Sequence, residues 1–451
     1  MSQQMLARYA QAVTSGPPLI RLSPAIIVVA LLIAIIAVAC EEEGDGQPTT
    51  PGAQHGEPGE EQPTTPGAQQ GEPGDEQPTL RGRNPPSIGE AFDCALPVVE
   101  GGPAQRGLPE DVTCQALPEG YRVEEYASGL RRPVAMAFAP DGRLFVTEQH
   151  TGNIRLVVDG ELLPQPFATV ERLFVSHEAG LLGIAIDPDF EENHYVYVFY
   201  NAIEFFPREH FNKVVRFTEV DGIGTDPLEI LPDLTGILWE IHTAGNIHFG
   251  PDGKLYISLG ELERPDEVQE LSLLPGKILR VNPDGSAPED NPFFGEPDAD
   301  PRIYAYGLRN AFDFDFHPET GMMFATENGP STDEINRIVP GGNYGWPDVV
   351  GPSDNSDFID PFIYYERTVG PAGASFYSGD KLTEYKNNFF FCQFHAGGLL
   401  HRVQLTNGDT EVASDDVISG GCTSDVAEGP DGYLYFIDLF NGIIYRITDG
   451  G

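Results

Sequence analysis

From Tyr121 onward, apolar and polar positions alternate in short runs, and a turn breaks each pair of runs. The unit recurs as "VAMAFAPDGRLFVTEQHTGNIRLV" from Val134, "GIAIDPDFEENHYVYVFYN" from Gly183 and "NIHFGPDGKLYISLGE" from Asn246. It returns as "FDFDFHPETGMMFATENG" from Phe312, "GASFYSGDKLTEYKNNFFFCQF" from Gly373 and "DVAEGPDGYLYFIDLFNGIIYRI" from Asp425. Period-two alternation broken by a turn such as Pro-Asp-Gly predicts a β-hairpin at each place. The turns centre on Pro140, Pro188, Pro251, Pro318, Gly379 and Pro430, at intervals of 48, 63, 67, 61 and 51 residues. Each interval holds one four-stranded sheet with its loops. Strand-built repeats of this size predict an all-β, six-bladed β-propeller over residues 121–451. No stretch there carries strong helical periodicity.

Before Tyr121 the pattern fails. Residues 81–120 form a Pro/Gly-rich lead-in. Residues 41–80 are a low-complexity linker in which "QPTTPGAQHGEPGEE" is followed by "QPTTPGAQQGEPGDE". Residues 41–79 hold ten acids and no lysine or arginine. With no apolar face to bury, this segment reads as a disordered, extended tether. Residues 1–40 read as a targeting segment: Arg8 and Arg21 precede the uncharged apolar run Ser23–Cys40, which ends "AVAC". The run is short for a membrane span and long for a signal core. A lipoprotein signal with Cys40 lipidated and an uncleaved N-terminal anchor both fit. Either places the domain outside the cytoplasm and ties it to the membrane through that segment alone.

The charge removes other classes. The 451 residues carry 70 acidic and 26 basic side chains, a formal net charge of −44. A nucleic-acid partner needs a basic footprint that is absent here. The remaining cysteines are Cys94, Cys114, Cys392 and Cys422. An even number in an exported chain points to disulfides, with Cys94–Cys114 and Cys392–Cys422 the shorter-loop pairings; free buried thiols are the alternative.

A propeller gathers function at one channel mouth, so residues flanking the inner strands carry the chemistry. His242 precedes one such strand and Glu261 follows its hairpin partner. A carboxylate on one imidazole nitrogen fixes the tautomer and makes the other nitrogen a base. A histidine that only ties down a loop is the plainer reading. Arg309 and Asn310 precede another inner strand, where a guanidinium can polarise a carbonyl or bind a carboxylate; a salt bridge between blades is its alternative. Gly329 and Pro330 force an irregular backbone whose carbonyl oxygens suit a hard cation, though Gly-Pro is also a common turn.

Taken in order, "EAGLLGIAIDPDF", "HFGPDGKLYISLGE", "LPGKILRVNPDGS", "IYAYGLRN", "ENGPSTDEIN" and "GGNYGWPDV" resemble the pyrroloquinoline quinone (PQQ)-dependent glucose and aldose sugar dehydrogenases, the glucose/sorbosone dehydrogenase family. The resemblance spans about Tyr121–Thr448 and implies the same six-bladed fold. It implies His242 as the base that takes the C1 hydroxyl proton of a sugar while hydride passes to the quinone, giving a lactone. Glu261 falls where the family has the aspartate that orients this base. Arg309 and Asn310 match the pair beside the quinone carbonyl. Gly329 and Pro330 match the backbone that holds Ca2+. Asn328 and Glu178 fall at glutamine positions of the cofactor and sugar sites. His395 and Ala396 lie where the family has a cofactor lysine, and Cys422 and Ser424 where it has two arginines. Three cationic partners of a tricarboxylate are therefore replaced. Two other readings stand beside the enzyme: a non-catalytic cell-surface propeller binding glycan or protein, and a calcium-dependent propeller lactonase. The sugar and the electron acceptor are not legible.

Overall fold

Each of the six turns joins the first two strands of one antiparallel sheet. The hairpins are Pro133–Phe138 with Leu144–Glu148, Leu181–Ile186 with Tyr195–Glu204, and Ala244–Phe249 with Leu255–Leu259. They continue with Ala311–Phe316 and Met323–Glu327, Pro371–Phe376 and Phe389–Gln393, and Val426–Glu428 and Leu434–Asp438. Strands farther out complete six sheets, and the first strands of neighbouring sheets pack on one another in a closed ring. The fold is the six-bladed β-propeller predicted from the turn spacing. The computed structural model describes residues 113–114, 116–204, 209–231, 234, 236–237, 241–366, 368–394, 398–406 and 411–450. The segments read as signal and linker, with Cys40, Cys94 and His395, lie outside these. Among the described residues the only α-helix is Phe190–Asn193, in the inner turn of the second blade.

The ring closes with strands from both ends of the domain. Arg122–Ser128 pairs antiparallel with Ile443–Thr448, so the last blade takes its outermost strand from the start of the propeller. Thr113–Cys114, in the lead-in, pairs parallel with the outer strand of the fifth blade. Closure of this kind leaves the ring no open seam. Cys392 and Cys422 are joined by a disulfide that ties the end of the fifth blade's second strand to the segment leading into the sixth.

Second strands such as LFVTE, LYISL and LYFID are buried at every residue. A blade is covered on both faces by its neighbours, so apolar residues serve on both sides of the pleat. Aromatic side chains fill the gaps: Phe145 meets Phe167 edge-on at 5.1 Å, and Phe324 lies 5.3 Å from Phe376 in the next blade. Polar stitches fix the blades' relative height. Thr147 donates to the Leu182 carbonyl at 2.8 Å and Thr326 to the Ala372 carbonyl at 2.7 Å. The carboxylates of Asp313, Asp315 and Asp425 accept the N–H groups of Ala374, Phe376 and Met136 at 2.7, 2.6 and 2.7 Å.

His248 joins this inner ring, 2.8 Å from Asp313. Burial pulls its imidazole down, but the Asp313 carboxylate more than offsets this and lifts it to about 9. Burial raises Asp315 to about 6 and holds Asp425 well above the carboxylate range. All three shifts are upward, so the folded chain holds more protons than the unfolded one. The stabilisation from His248 is complete below its unfolded value of about 6.5 and is lost as pH rises through about 9. Urea unfolding midpoints should therefore fall between those limits, and His248→Gln should flatten that limb.

Candidate active site

The six inner-hairpin turns lie at one end of the channel. The segments leading into first strands and out of second strands therefore meet at the other end. Five of the six inner hairpins carry a register shift. Such bulges re-aim side chains next to a site. Left-handed backbone at non-glycine residues also gathers in the third blade: His242, Ala244, Leu262 and Glu263 have φ of 55°, 47°, 58° and 56°. That conformation costs energy and persists only where the surroundings enforce it.

The enforcing contacts are specific. The Glu178 carboxylate, at the start of the second blade, accepts the His242 N–H at 2.7 Å. Gly260 lies so close that a Cβ there would overlap the His242 carbonyl oxygen. The Asn310 side-chain oxygen accepts the Ala244 N–H at 3.0 Å, and its amide nitrogen lies 3.4 Å from Glu178. Contacts from three blades thus fix the backbone from His242 to Ala244.

The ring of His242 is held on both nitrogens. Nδ1 lies 2.7 Å from Glu261 Oε1, and Nε2 lies 2.7 Å from an Arg309 Nη2. A guanidinium only donates, so Nε2 must carry a lone pair and the ring proton must sit on Nδ1, donated to Glu261. This tautomer, assigned from the hydrogen-bond network, is the one a general base needs. The second oxygen of Glu261 accepts the Trp346 indole N–H at 2.8 Å, and the Glu261 N–H donates to the Arg309 carbonyl at 2.7 Å. Burial pushes the Glu261 carboxyl up, but the hydrogen bonds from His242 and Trp346 outweigh it and hold the group below its ordinary value. Glu261 is therefore an anion poised to steady a positive imidazolium.

Arg309 spans the mouth. Its Nη1 donates to the Asn328 carbonyl at 2.7 Å, and its guanidinium lies 5.6 Å from the Trp346 ring. Its backbone N–H donates to Glu327 Oε1 at 2.5 Å. The same clamp recurs around the ring: Glu148 takes the Arg131 N–H at 2.9 Å and Asn201 the Gly180 N–H at 2.8 Å. In each of these blades the polar end of the second strand holds the segment leading into the first. Burial, with the neighbouring Glu334 carboxylate, raises Glu327. Glu261 is shifted the opposite way, so the environment sets the two carboxylates apart.

Asn328 donates to the Pro371 carbonyl at 2.9 Å, and its N–H bonds the Asn310 carbonyl at 3.1 Å. The Gly329 N–H donates to Asp333 at 3.0 Å, and a Cβ at Gly329 would overlap the Thr332 carbonyl oxygen. Gly329 and Pro330 line one narrow cavity with Arg309, Glu327 and Trp346. Among the described residues no cluster of three or more acidic, histidine or cysteine side chains is placed to hold a metal. A cation here would rest on backbone oxygens. A wider cleft of about 600 Å³ at the outer edge of the fourth and fifth blades is lined by Arg337, Ile359, Phe362 and Glu411, with none of the mouth residues.

The structure thus brings His242, Glu261, Arg309, Asn310, Asn328 and Glu178 into one hydrogen-bonded set. The Glu178 carboxylate is turned to the His242 backbone. Cys422 is buried in its disulfide, and Ser424 is buried and donates to the Pro133 carbonyl at 3.2 Å. Trp346 and Glu327 were not singled out from the sequence. Both sit inside quoted motifs, Trp346 in "GGNYGWPDV" and Glu327 at the head of "ENGPSTDEIN", but nothing local marks the partner each one finds.

The chain resembles known proteins in sequence and fold. The sequence model of the family described as Glucose / Sorbosone dehydrogenase matches residues 130–446. The aldose sugar dehydrogenase YliI of Escherichia coli (strain K12) is 27% identical over 359 residues, covering 74% of this chain and 94% of that protein. A crystal structure of a putative oxidoreductase (glucose dehydrogenase) from Thermus thermophilus is 33% identical with a TM-score of 0.66, covering 73% of this chain and 100% of that one. The PQQ-bound aldose sugar dehydrogenase of Streptomyces coelicolor is 28% identical with a TM-score of 0.62, covering 74% of this chain and 99% of that one. The match to the family takes in strands of all six blades, and the chain belongs to the glucose/sorbosone dehydrogenase family.

Proposed function

We propose that this protein oxidises an aldose at its C1 hydroxyl to the lactone, with PQQ as cofactor. The observation that carries the proposal is the His242 ring, with Nδ1–H on an ionised Glu261 and the Nε2 lone pair at the mouth. Nε2 takes the C1 hydroxyl proton while the C1 hydrogen leaves with its electron pair, and the C1–O bond becomes a carbonyl. Glu261 steadies the imidazolium that results. Arg309 now occupies the place of the hydroxyl on Nε2, so sugar binding exchanges one hydrogen-bond partner for another. A bound PQQ supplies the hydride acceptor.

Arg309, Asn310 and Asn328 carry donors of the kind a quinone's carbonyl edge takes, and each would exchange a present acceptor for it: His242 or the Asn328 carbonyl, Glu178, and the Pro371 carbonyl. Gly329 and Pro330 would offer Ca2+ their backbone oxygens. The carboxylate rim is different, because Cys422 and Ser424 are buried, uncharged and already engaged. Each charged hydrogen bond lost there forgoes about 1.5–3 kcal/mol, so affinity for PQQ should be lower than where arginines stand. That substitution favours the second reading, a propeller that binds glycan or protein without catalysis. Mixing the purified chain with PQQ and Ca2+ and following reduction of a dye acceptor across an aldose panel separates the two. Sugar-dependent reduction supports the enzyme. None at saturating quinone and calcium moves the reading to binding alone. A lactone hydrolysed without quinone selects the hydrolase instead.

The N-terminal residues bear on location. We propose that the domain works outside the cytoplasm, tied to the membrane through residues 1–40 and spaced from it by residues 41–80. Radiolabelled fatty acid should enter the wild-type chain and not Cys40→Ser; label in neither leaves the uncleaved anchor.

A further inference from the structure

Two large aromatic side chains stand out at the mouth. Phe394, just beyond the fifth blade's second strand, is 40% exposed, and Phe440, in the same place on the sixth blade, is 48% exposed. Their ring centroids are 5.5 Å apart, with planes inclined at 50°. The Arg132 guanidinium, from the segment leading into the first blade, lies 6.0 Å from the Phe440 ring. Leaving this much ring surface in water forgoes burial that folding would otherwise use.

The backbone beneath is fixed. The Phe440 N–H donates to Asp438 at 3.1 Å and the Phe394 N–H to the Gly370 carbonyl at 2.7 Å. Arg132 holds a left-handed φ of 49°, and its Nε and Nη2 donate to Gln149 Oε1 at 3.2 and 3.0 Å. Gln149 in turn donates to the Glu178 carbonyl at 2.9 Å, and Glu178 holds His242. A line of contacts therefore runs along the mouth from the base to the aromatic pair.

We infer that Phe394, Phe440 and Arg132 form a second carbohydrate subsite, which receives the next pyranose of an oligosaccharide whose reducing-end C1 hydroxyl lies at His242. A pyranose has an apolar C–H face and a rim of hydroxyls. The C–H bonds carry partial positive charge and suit the electron-rich face of an aromatic ring, and the Arg132 guanidinium beside the Phe440 ring suits the hydroxyls. Two rings are too small an area for a stable protein partner. The inference rests on the sugar reading of the His242 site, of which it specifies the substrate length.

The test uses the full chain and glucans of one, two and three units. With PQQ and Ca2+ present, wild-type kcat/KM should rise about tenfold from one unit to two, a gain equivalent to one good aromatic contact. In Phe394→Ala/Phe440→Ala that ratio should collapse towards one through KM, and Phe440→Tyr should restore it. A second readout needs no turnover: titration calorimetry with a methyl-capped trisaccharide and no cofactor. Wild type should bind about tenfold more tightly than the double variant, with unchanged circular dichroism showing that the variant is folded. Equal ratios and equal binding in the two proteins overturn the inference. So does a variant that loses PQQ affinity, followed by fluorescence quenching, while keeping its chain-length ratio, because the rim then belongs to the cofactor seat. Capped-sugar binding through Phe440 without any oxidation would keep the subsite and remove the dehydrogenase reading, so the two failures are distinct.

Discussion

Replacing His242 with alanine should lower kcat/KM for aldose oxidation by about 10²–10⁴, the range contributed by a well-placed general base. The loss should fall on kcat, because Nε2 acts on the proton in flight and contributes little to holding the sugar. The fold should survive, since the substitution leaves the backbone N–H at this position free to donate to Glu178. Dye-linked steady-state kinetics with a circular dichroism control measures this. The same loss in kcat should be only partial in Glu261→Gln, where a hydrogen bond to Nδ1 can remain while the charge is gone. If His242→Ala oxidises sugars at the wild-type rate, Nε2 is not the base.

Arg309 carries the second large effect. Its guanidinium reaches the His242 ring and the Asn328 carbonyl together, both at 2.7 Å. Arg309→Ala should cost about 10²–10³ in kcat, the scale seen when one preorganised donor is removed from a developing negative charge. Arg309→Lys should not rescue it, because an ammonium lacks the planar fork that spans two acceptors. The two residues touch, so their losses should not add: His242→Ala/Arg309→Ala should be scarcely worse than His242→Ala alone. Full additivity in that double-mutant cycle would mean that the contact has no part in the reaction.

The ring of blades was legible because its signal is local and repeated. Every inner hairpin carries its own turn, and Pro140 to Pro430 each landed between a first and a second strand. What was illegible was distant. Arg122–Ser128 pairs with a strand more than 300 residues later, at Arg446 beside Glu124, and no periodicity in either segment names the other. Second strands such as LYISL are buried on both faces, so an alternation rule describes them poorly.

The site divides in the same way. His242 and Glu261 flank one hairpin, and a shared hairpin returns both to one mouth. Trp346 reaches Glu261 across 85 residues, from the loop of the next blade, and Glu327 closes on the Arg309 backbone at the open end of the same hairpin. The first contact follows from the packing of neighbouring blades and the second from hairpin register. The aromatic pair Phe394 and Phe440 belongs to two blades, and only adjacency of the fifth and sixth sheets makes it a surface.

The central claim is that a sugar binds with its C1 hydroxyl against His242 Nε2, and locating that sugar tests it most directly. A crystal of the chain loaded with PQQ and Ca2+ and soaked in aldose should show the C1 oxygen within about 3 Å of Nε2, with the Arg309 guanidinium moved off that nitrogen. A sugar seated elsewhere, with Arg309 still bonded to His242, would contradict the account.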